Sequence, residues 1–255
     1  MKACSPLPWT LLLVSILIYN SNASTLNKKE LVADTFWCLV QMGSIDKAYE
    51  LLYSNKKNAP LFYRYAAILE DGLVVPLDLV GATENYLLAS KAGYGPASYS
   101  YSTLLERSNN LSDKNRETAR QYLLRSAEQG DTDGMFSLAW NYHLGRGVKM
   151  DIPKAIYWYT KAANKGDKDA QWQLATIYQS TLLGETNSTL ALAWQALAMH
   201  FGSKEASLAY ESWTKDLDTE EQNKVKAQMK KLKSKINEQY TFVPMRCDGE
   251  YEDSN

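Results

Sequence analysis

Residues 145–167 read GRGVKMDIPKAIYWYTKAANKGD, and this stretch decides the fold. A Gly-x-Gly turn is followed by Asp151, a favourable helix N-cap, and by Pro153 in the first turn, where its missing N–H has no cost. Apolar residues then recur at spacings of four and three on one helix face, at Ala155, Tyr159 and Ala162. Gly166 ends the helix, since glycine tolerates the left-handed conformation there. The stretch therefore predicts a turn, a helix and a second turn.

The same pattern recurs along the chain with a period of about 36 residues. A glycine ends the second helix of each unit at intervals of 37, 36 and 36 residues, at Gly93, Gly130, Gly166 and Gly202. Small residues precede these glycines by eleven and by four positions, so neighbouring helices can approach closely there. Such a period is typical of stacked supersecondary units. The sequence therefore predicts an all-α solenoid of helix hairpins.

The glycines at 145 and 147 do not fit a phosphate-binding loop. They follow a helix instead of a strand, and position 150 is methionine, so the dinucleotide pattern G-x-G-x-x-G is incomplete. No Lys-Ser/Thr pair follows, as a P-loop requires. We interpret Gly145 and Gly147 as the turn between the two helices of one unit, filled by Val148.

Residues 138–178 (LAWNYHLGRGVKMDIPKAIYWYTKAANKGDKDAQWQLATIY) resemble the Sel1-like repeat, a relative of the tetratricopeptide repeat. The resemblance extends over residues 58–214 and implies α/α-hairpins stacked into a right-handed superhelix that binds other proteins. The loops SNNLSDKN and TLLGETNST depart from the glycine turn of the family; they either carry special contacts or have only drifted. The predicted units are residues 58–93, 94–130, 131–166, 167–202 and a partial unit at 203–214.

The flanking segments have the features of helical caps, which a solenoid needs to cover its terminal apolar faces. Residues 24–57 contain an amphipathic pattern at Val32, Phe36, Leu39 and Val40. Residues 215–237 begin with the N-cap Asp218 and carry an apolar stripe at Val225, Met229, Leu232 and Ile236. Residues 238–255 have no period, and we expect a flexible tail there.

The N-terminus has the features of a signal peptide, residues 1–23. Lys2 is followed by an apolar run at 11–19, and small residues stand at −3 and −1 of a cleavage after Ala23. A run of nine residues is far shorter than the roughly 20 that span a bilayer, although an uncleaved anchor is the alternative. The sequence therefore predicts a periplasmic or secreted chain without an integral membrane segment after cleavage.

Charge and cysteine content limit the classes of partner. The 28 basic and 29 acidic residues give a net charge of −1, which argues against nucleic acid as a partner. After signal cleavage only Cys38 and Cys247 remain, and an oxidising compartment would allow them to pair. They lie near opposite ends of the chain, so a disulfide requires the tail to fold back within about 7 Å.

The chain has few residues suited to catalysis or metal binding. His143 and His200 do not form an H-x-x-x-H pair, and no G-x-S-x-G or C-x-x-C occurs. The paired carboxylates in GDTD and GDKD open helices, so capping and the helix dipole explain them. We predict no enzymatic activity, no cofactor and no metal. Some cysteine-rich Sel1-like proteins are linked with β-lactam binding or hydrolysis, but they use a cysteine pair in each repeat, which this chain lacks.

Aromatic residues supply the candidates for partner binding. One column lies six residues after each glycine slot and is interpreted mainly as packing, at Tyr63, Tyr99, Phe136 and Trp172. Less regular tryptophans are better contact candidates, because packing alone would repeat, and they are Trp140, Trp158, Trp194 and Trp213. We select five residues as candidates for partner binding. Three lie in the repeats and two on a lysine-rich face of the cap that suits an anionic partner, and they are Trp140, Gln173, Trp172, Lys230 and Lys231.

The resemblance implies a protein–protein scaffold, and the N-terminus suggests an exported chain. The segment DLDTEEQNKVKAQMKKL resembles the terminal segment of bacterial members of the family, which favours a bacterial periplasm with envelope proteins as partners. A lumenal adaptor of the eukaryotic secretory pathway is the alternative, and glycans at Asn110 and Asn187 would distinguish it. An enzyme acting on the cell wall or on β-lactams is a third hypothesis. It would need a reactive residue in a pocket, and the sequence offers none.

Overall fold

The computed structural model describes residues 25–107, 112–184, 186–215 and 217–236, which form helices and turns with no β-strand among them. The helices of this part of the chain are α1 (Thr25–Gln41), α2 (Ile45–Ser54), α3 (Ala59–Asp71), α4 (Leu79–Lys91), α5 (Gly95–Arg107), α6 (Asp113–Glu128), α7 (Thr132–Leu144), α8 (Ile152–Ala163), α9 (Lys168–Gln179), α10 (Ser188–His200), α11 (Lys204–Thr214) and α12 (Thr219–Lys233). The chain divides into two compact units between Tyr101 and Ser102, inside α5.

Unit 1, up to Tyr101, is built on the first three helices. α1 packs against α2 and α3, and α3 pairs with α4 as a hairpin. The largest side chains of its core are buried and come from all three helices, with Phe36, Leu39 and Val40 from α1, Leu52 from α2, and Leu61 and Ile68 from α3. Burying each of these contributes about 1.5–3 kcal/mol. The amphipathic face predicted for α1 is confirmed.

Unit 2, from Ser102 onward, contains two closely paired hairpins, α7 with α8 and α9 with α10. α8 also packs on α9, and α10 packs on α11 and α12. Small residues stand where helices meet and are fully buried, at Ala119, Ser126, Ala155, Ala162, Ala191 and Ala198. These are the positions eleven and four residues before each glycine, so the predicted close approach of helices is confirmed.

Polar N-caps set where the helices begin. In each case the side chain accepts a hydrogen bond from a backbone N–H three residues later, at Asn58, Asp78, Ser112, Asp131, Asp151, Asp167, Asn187, Ser203 and Asp218. Such a cap is worth about 1 kcal/mol. The predicted capping roles of Asp131, Asp151 and Asp167 are therefore confirmed.

Glycines shape the turns between helices. Gly145 ends α7 with φ 68°, and its N–H donates to the Asn141 carbonyl oxygen, while Gly147 has φ 67°. Residues other than glycine rarely adopt these backbone φ angles. Val148 is half-buried beside them. The interpretation of Gly145 and Gly147 as an inter-helix turn is confirmed.

The C-terminal helix α12 closes the described part of unit 2. Asp218 and Glu221 form a reciprocal capping box at its start. Val225, Leu232 and Ile236 are buried and Met229 is half-buried, so the predicted apolar stripe is confirmed. The predicted signal peptide at 1–23, the predicted tail at 238–255 and Cys247 lie outside the described residues.

Cys38 is half-buried on α1. Because Cys247 lies outside the described residues, the disulfide stays a prediction. In the part of the chain that the structure describes, no helix combines the length and the apolar character needed to cross a membrane.

Candidate functional site

Three ring side chains form a continuous cluster on α7. Phe136, Trp140 and His143 follow each other at spacings of four and three residues, which places them on one helix face. The rings of Phe136 and Trp140 are nearly parallel with centroids 6.2 Å apart, and His143 meets Trp140 edge-on at 6.1 Å. All three side chains are half-buried, so a part of each ring remains accessible to a partner.

Tyr159 of α8 lies beneath this cluster and is fully buried. Its ring meets Phe136 at 5.6 Å and His143 at 6.2 Å between centroids. Neither the Tyr159 hydroxyl nor His143 Nδ1 has a hydrogen-bond partner among the residues that the structure describes. Burial raises the pKa of Tyr159 and lowers the pKa of His143. At neutral pH both groups are therefore uncharged, and the cluster contains two buried polar atoms without a hydrogen-bond partner among the described residues.

Arg146 supplies positive charge at the edge of the cluster. Its guanidinium carbon lies 5.9 Å from the centre of the Trp140 ring. A cation at this distance is attracted to the ring face. Arg146 is exposed, so its remaining donors are available to a partner.

The next hairpin carries a second aromatic pair. Trp172 of α9 stacks on Trp213 of α11, with centroids 5.5 Å apart and planes inclined by 25°. Trp172 occupies the slot that Phe136 occupies one repeat earlier, so the two rings lie on the same side of successive hairpins. We name the set Phe136, Trp140, His143, Trp172 and Trp213 the aromatic surface of unit 2.

The predicted partner-binding residues lie in two places. Trp140 and Trp172 belong to the aromatic surface, and Gln173 is half-buried next to Trp172 on α9. Lys230 and Lys231 are exposed on α12 and lie outside that surface. The structure therefore places Trp140 and Trp172 in two ring stacks, each half-buried, and keeps the two lysines apart from both. Their role in binding stays a prediction.

Two of the tryptophans singled out from the sequence are not surface residues. Trp158 and Trp194 are only 8% and 3% exposed, so their interpretation as contact candidates is wrong. Both lie on second helices of hairpins, which pack against neighbouring helices. The interpretation of the column at Phe136 and Trp172 as packing is only partly correct, because each ring packs on a neighbour yet stays half-buried.

The sequence reasoning selected Trp213 as a contact candidate but missed its stacking on Trp172, and it missed His143 and Arg146 as a member and a neighbour of the aromatic surface. For His143 the signal was available, since it follows Phe136 and Trp140 at helical spacing. Trp213 could not be placed, because its stacking on Trp172 depends on how α11 packs.

The histidines do not assemble a reactive group. His143 lies in the aromatic cluster on α7, while His200 Nε2 at the end of α10 is 3.0 Å from Lys233 Nζ. Within the described residues, no three His, Cys, Asp or Glu side chains come together in a way that could hold a metal ion. The prediction that the chain is not an enzyme is not tested by this geometry.

Unit 1 carries polar side-chain pairs on α1, α3 and α4. Arg64 of α3 bonds Asp34 of α1 at 3.2 Å between nitrogen and oxygen. Burial raises the pKa of Asp34, and burial together with the Asp34 charge raises the pKa of Glu30. Tyr86 of α4 donates to a Glu70 carboxylate oxygen at 2.9 Å. The two units therefore present different chemistry on equivalent helices.

Comparison with known families identifies the repeats. The Sel1 repeat family model matches residues 63–94, 96–131 and 132–167. The chain therefore contains three Sel1 repeats. Proteins of this repeat family are generally protein-interaction scaffolds and are typically non-catalytic. No curated protein matches the sequence of this chain.

Solved structures show the same fold. One is c5321, a protective antigen present in uropathogenic Escherichia coli strains that displays an SLR fold, with a TM-score of 0.66 and 22% identity over 79% of this chain and 45% of that chain. Another is a Sel1 repeat protein from Oxalobacter formigenes, with a TM-score of 0.62 and 21% identity over 84% and 92% of the two chains. The chain spans less than half the length of c5321. The predicted all-α hairpin fold is confirmed.

Proposed function

We propose that this Sel1 repeat protein is a non-catalytic scaffold that binds a partner protein through the aromatic surface of unit 2. The observation that carries the proposal is the pair of half-buried ring stacks, Phe136 on Trp140 and Trp172 on Trp213. The two tryptophans on second helices of hairpins, Trp158 and Trp194, are buried instead. Tryptophan and arginine dominate the binding energy of protein interfaces. Trp140 with Arg146 beside it supplies both.

The chemistry of the surface favours an apolar partner segment that carries hydrogen-bonding groups. Buried polar atoms without partners are unfavourable by about 1–3 kcal/mol each. The Tyr159 hydroxyl and His143 Nδ1 are two such atoms among the described residues, and the rings that carry them meet Phe136 and Trp140. A partner that shifts these rings and offers an acceptor to the Tyr159 hydroxyl would remove that cost.

The binding proposal is tested by crosslinking and capture from the native compartment. We expect Trp140→Ala and Trp172→Ala each to lose the captured partner while helical circular dichroism is unchanged, because both side chains are half-exposed. Tyr157→Ala is the matched control, since Tyr157 is an aromatic residue of α8 that is 52% exposed outside the surface. Equal capture by the wild type and both tryptophan variants would refute the proposal.

The lysine face of α12 is a separate candidate contact. Lys230 and Lys231 are exposed in the last turn of α12, where they also favour the helix dipole. A Lys230→Ala/Lys231→Ala variant belongs in the same capture experiment. If the variant captures less partner than the wild type at low salt and this difference vanishes at high salt, the partner at this face is anionic. An unchanged yield of captured partner would show that the two lysines do not contact the partner and serve only the capping helix.

We further propose that the protein acts in an exported compartment, most simply a bacterial periplasm. This rests on the N-terminal sequence alone, with Lys2, the apolar run at 11–19 and the small residues before position 24. Cell fractionation of a C-terminally tagged chain and N-terminal sequencing of the product provide the test. We expect an exported chain beginning at Ser24. A cytoplasmic chain that retains Met1 would overturn this part of the proposal.

A further inference from the structure

We propose a second docking site in unit 2, a groove that receives an apolar segment of a partner protein followed by acidic residues. The groove lies between the turn that joins α7 to α8 and the loop that joins α9 to α10, with a volume of about 760 Å³. This volume lies within the range of sites that hold small molecules or short peptide segments.

The groove is lined mainly by apolar side chains, which are Tyr142, Val148, Met150, Ile152, Leu182 and Leu183. Three of them are strongly exposed, with Met150 at 58%, Leu182 at 52% and Leu183 at 42%. Single exposed apolar residues are common on protein surfaces, but a contiguous group marks an interaction site. Nothing in the described part of the chain covers these three side chains.

The α9–α10 loop supports a specific role for this groove. The α7–α8 turn uses Gly145 and Gly147, whereas the corresponding α9–α10 loop reads TLLGETNST and places two leucines at the surface. A turn between helices requires no such leucines, since glycine and polar residues serve that purpose. The exposed pair, Leu182 and Leu183, is therefore not explained by the turn itself.

The charge at the rim selects the partner. Lys149 and Lys154 line the groove together with Asp151, which gives a net charge of +1. The Asp151 carboxylate accepts from the Lys154 backbone N–H at 3.0 Å and lies 3.2 Å from Lys154 Nζ. These contacts lower the pKa of Asp151, and the Asp151 charge is paired within the protein. Lys149 is exposed and remains available for an acidic residue of a partner.

This site is independent of the aromatic surface. The residues that line the groove lie in the two inter-helix segments, in the last turn of α7 and in the first turn of α8, and none of them belongs to the aromatic surface. A partner segment in the groove would therefore contact Leu182 and Lys149 without contacting Trp140. Variants at the two sites can be tested separately, so failure of one proposal does not affect the other.

Peptide binding to the full chain tests the proposal by fluorescence anisotropy. The probe is a labelled peptide of four leucines followed by three glutamates, compared with peptides whose glutamates are replaced by lysine or whose leucines are replaced by serine. We expect the first peptide to bind at least about fivefold more tightly than either of the others, because only it matches both the apolar lining and the lysine rim.

Variants of the chain locate the binding. We expect Leu182→Ser/Leu183→Ser to weaken binding of the leucine–glutamate peptide by about tenfold, whereas Leu208→Ser does not, because Leu208 is 85% exposed outside the groove. We expect Lys149→Glu to weaken the same peptide and to strengthen the lysine peptide. Lys114→Glu, an exposed lysine of α6, is the matched charge control.

Three results would overturn the proposal. The first is equal binding of the glutamate and lysine peptides, which would remove the charge selection. The second is a leucine double variant that binds as the wild type does. The third is binding of the wild type to vesicles that contain phosphatidylglycerol, lost in the leucine double variant, without binding of any peptide, which would make a lipid surface the occupant.

Discussion

The two repeats at residues 58–93 and 131–166 place a tyrosine at the same position but beside different side chains. Tyr86 and Tyr159 occupy equivalent slots 73 positions apart, as do Glu70 and His143. The Tyr86 hydroxyl donates to a Glu70 carboxylate oxygen at 2.9 Å. The Tyr159 hydroxyl has no hydrogen-bond partner in the described part of the chain, and the Tyr159 ring meets His143 edge-on instead.

The backbone of the two hairpins does not depend on this polar pair. Asn58 and Asp131 cap their first helices in the same way, and Gly72 and Gly145 end those helices with φ of 66° and 68°. Caps and glycine turns are local, so they fix the hairpin whatever side chains meet between its helices. The repeat therefore fixes the backbone of the hairpin, whereas the side chains between and on its helices differ from one repeat to the next.

The largest expected effect on stability comes from placing the residue of one repeat at the equivalent position of the other repeat. Leu61 fills its slot in unit 1 with no exposure, but the equivalent residue in unit 2 is Gly134. A Cβ on Gly134 would lie 2.7 Å from Ser126 Cβ and 3.0 Å from the Ala127 backbone nitrogen. We expect Gly134→Leu to lower the free energy of unfolding by about 3 kcal/mol or more, measured by chemical denaturation.

The control for this substitution lies one residue away. Asp133→Leu introduces the same side chain in the same helical turn at an exposed position. We expect it to change the free energy of unfolding by less than about 1 kcal/mol, mostly through the helix dipole. Similar losses in the two variants would show that the close packing of α6 on α7 is not what requires glycine.

The next effect separates the two tyrosines. Tyr86→Phe should lower the free energy of unfolding by about 1 kcal/mol, because it removes the hydrogen bond to Glu70. Tyr159→Phe should be neutral or stabilising by up to about 1 kcal/mol, since the hydroxyl that it removes is buried without a partner. Denaturation of both variants beside exposed Tyr157→Phe provides the measurement. Equal losses at Tyr86 and Tyr159 would contradict the difference between the repeats.

The hairpins could be predicted from the sequence because their determinants are local. Asp151, the glycine at 166 and the small residues between them act within a few positions of the chain, so spacing alone reveals them. The aromatic surface could be predicted only in part. Trp140 and Trp158 look alike in the sequence, yet one is half-buried on a first helix and the other is buried on a second helix.

Exposure depends on which helix packs next, and that information is not local. Trp213 shows this, because its stacking on Trp172 joins residues 41 positions apart on different helices. The exposed leucines at 182 and 183 show the same limit. Their loop is visibly irregular in the sequence, but only the structure places them beside Met150 and Lys149 in one groove.

A smaller effect is expected from pH, because the histidine slot of repeat 131–166 holds a carboxylate in repeat 58–93. Burial lowers the pKa of His143, so the folded state disfavours its protonated form. An unfolded histidine titrates near 6.5, so below that pH the unfolded state binds more protons and stability falls. Between pH 8 and 6 we expect a loss below about 1 kcal/mol, because solvent screens a half-buried group.

The variant His143→Phe isolates this contribution. It keeps an aromatic ring against Trp140 and Tyr159 but cannot take up a proton. We expect its free energy of unfolding to vary less between pH 8 and 6 than that of the wild type. This window lies well above the usual carboxyl pKa, so it limits the contribution of buried carboxylates such as Asp131, whose pKa is raised by burial. Parallel pH dependence in the two proteins would exclude His143 as the cause.

The smallest expected effect on stability is at Arg146, whose slot in repeat 58–93 holds Leu73 with 81% exposure. Arg146→Leu copies that residue and removes the cation over Trp140, which should lower the free energy of unfolding by about 0.5 kcal/mol. Arg146→Lys keeps the charge and is the control. If Arg146→Leu weakens partner capture much more than this small change in stability can explain, the arginine acts in recognition. If capture is unchanged, the partner contacts the rings alone, and the difference in charge between the two repeats has no part in binding.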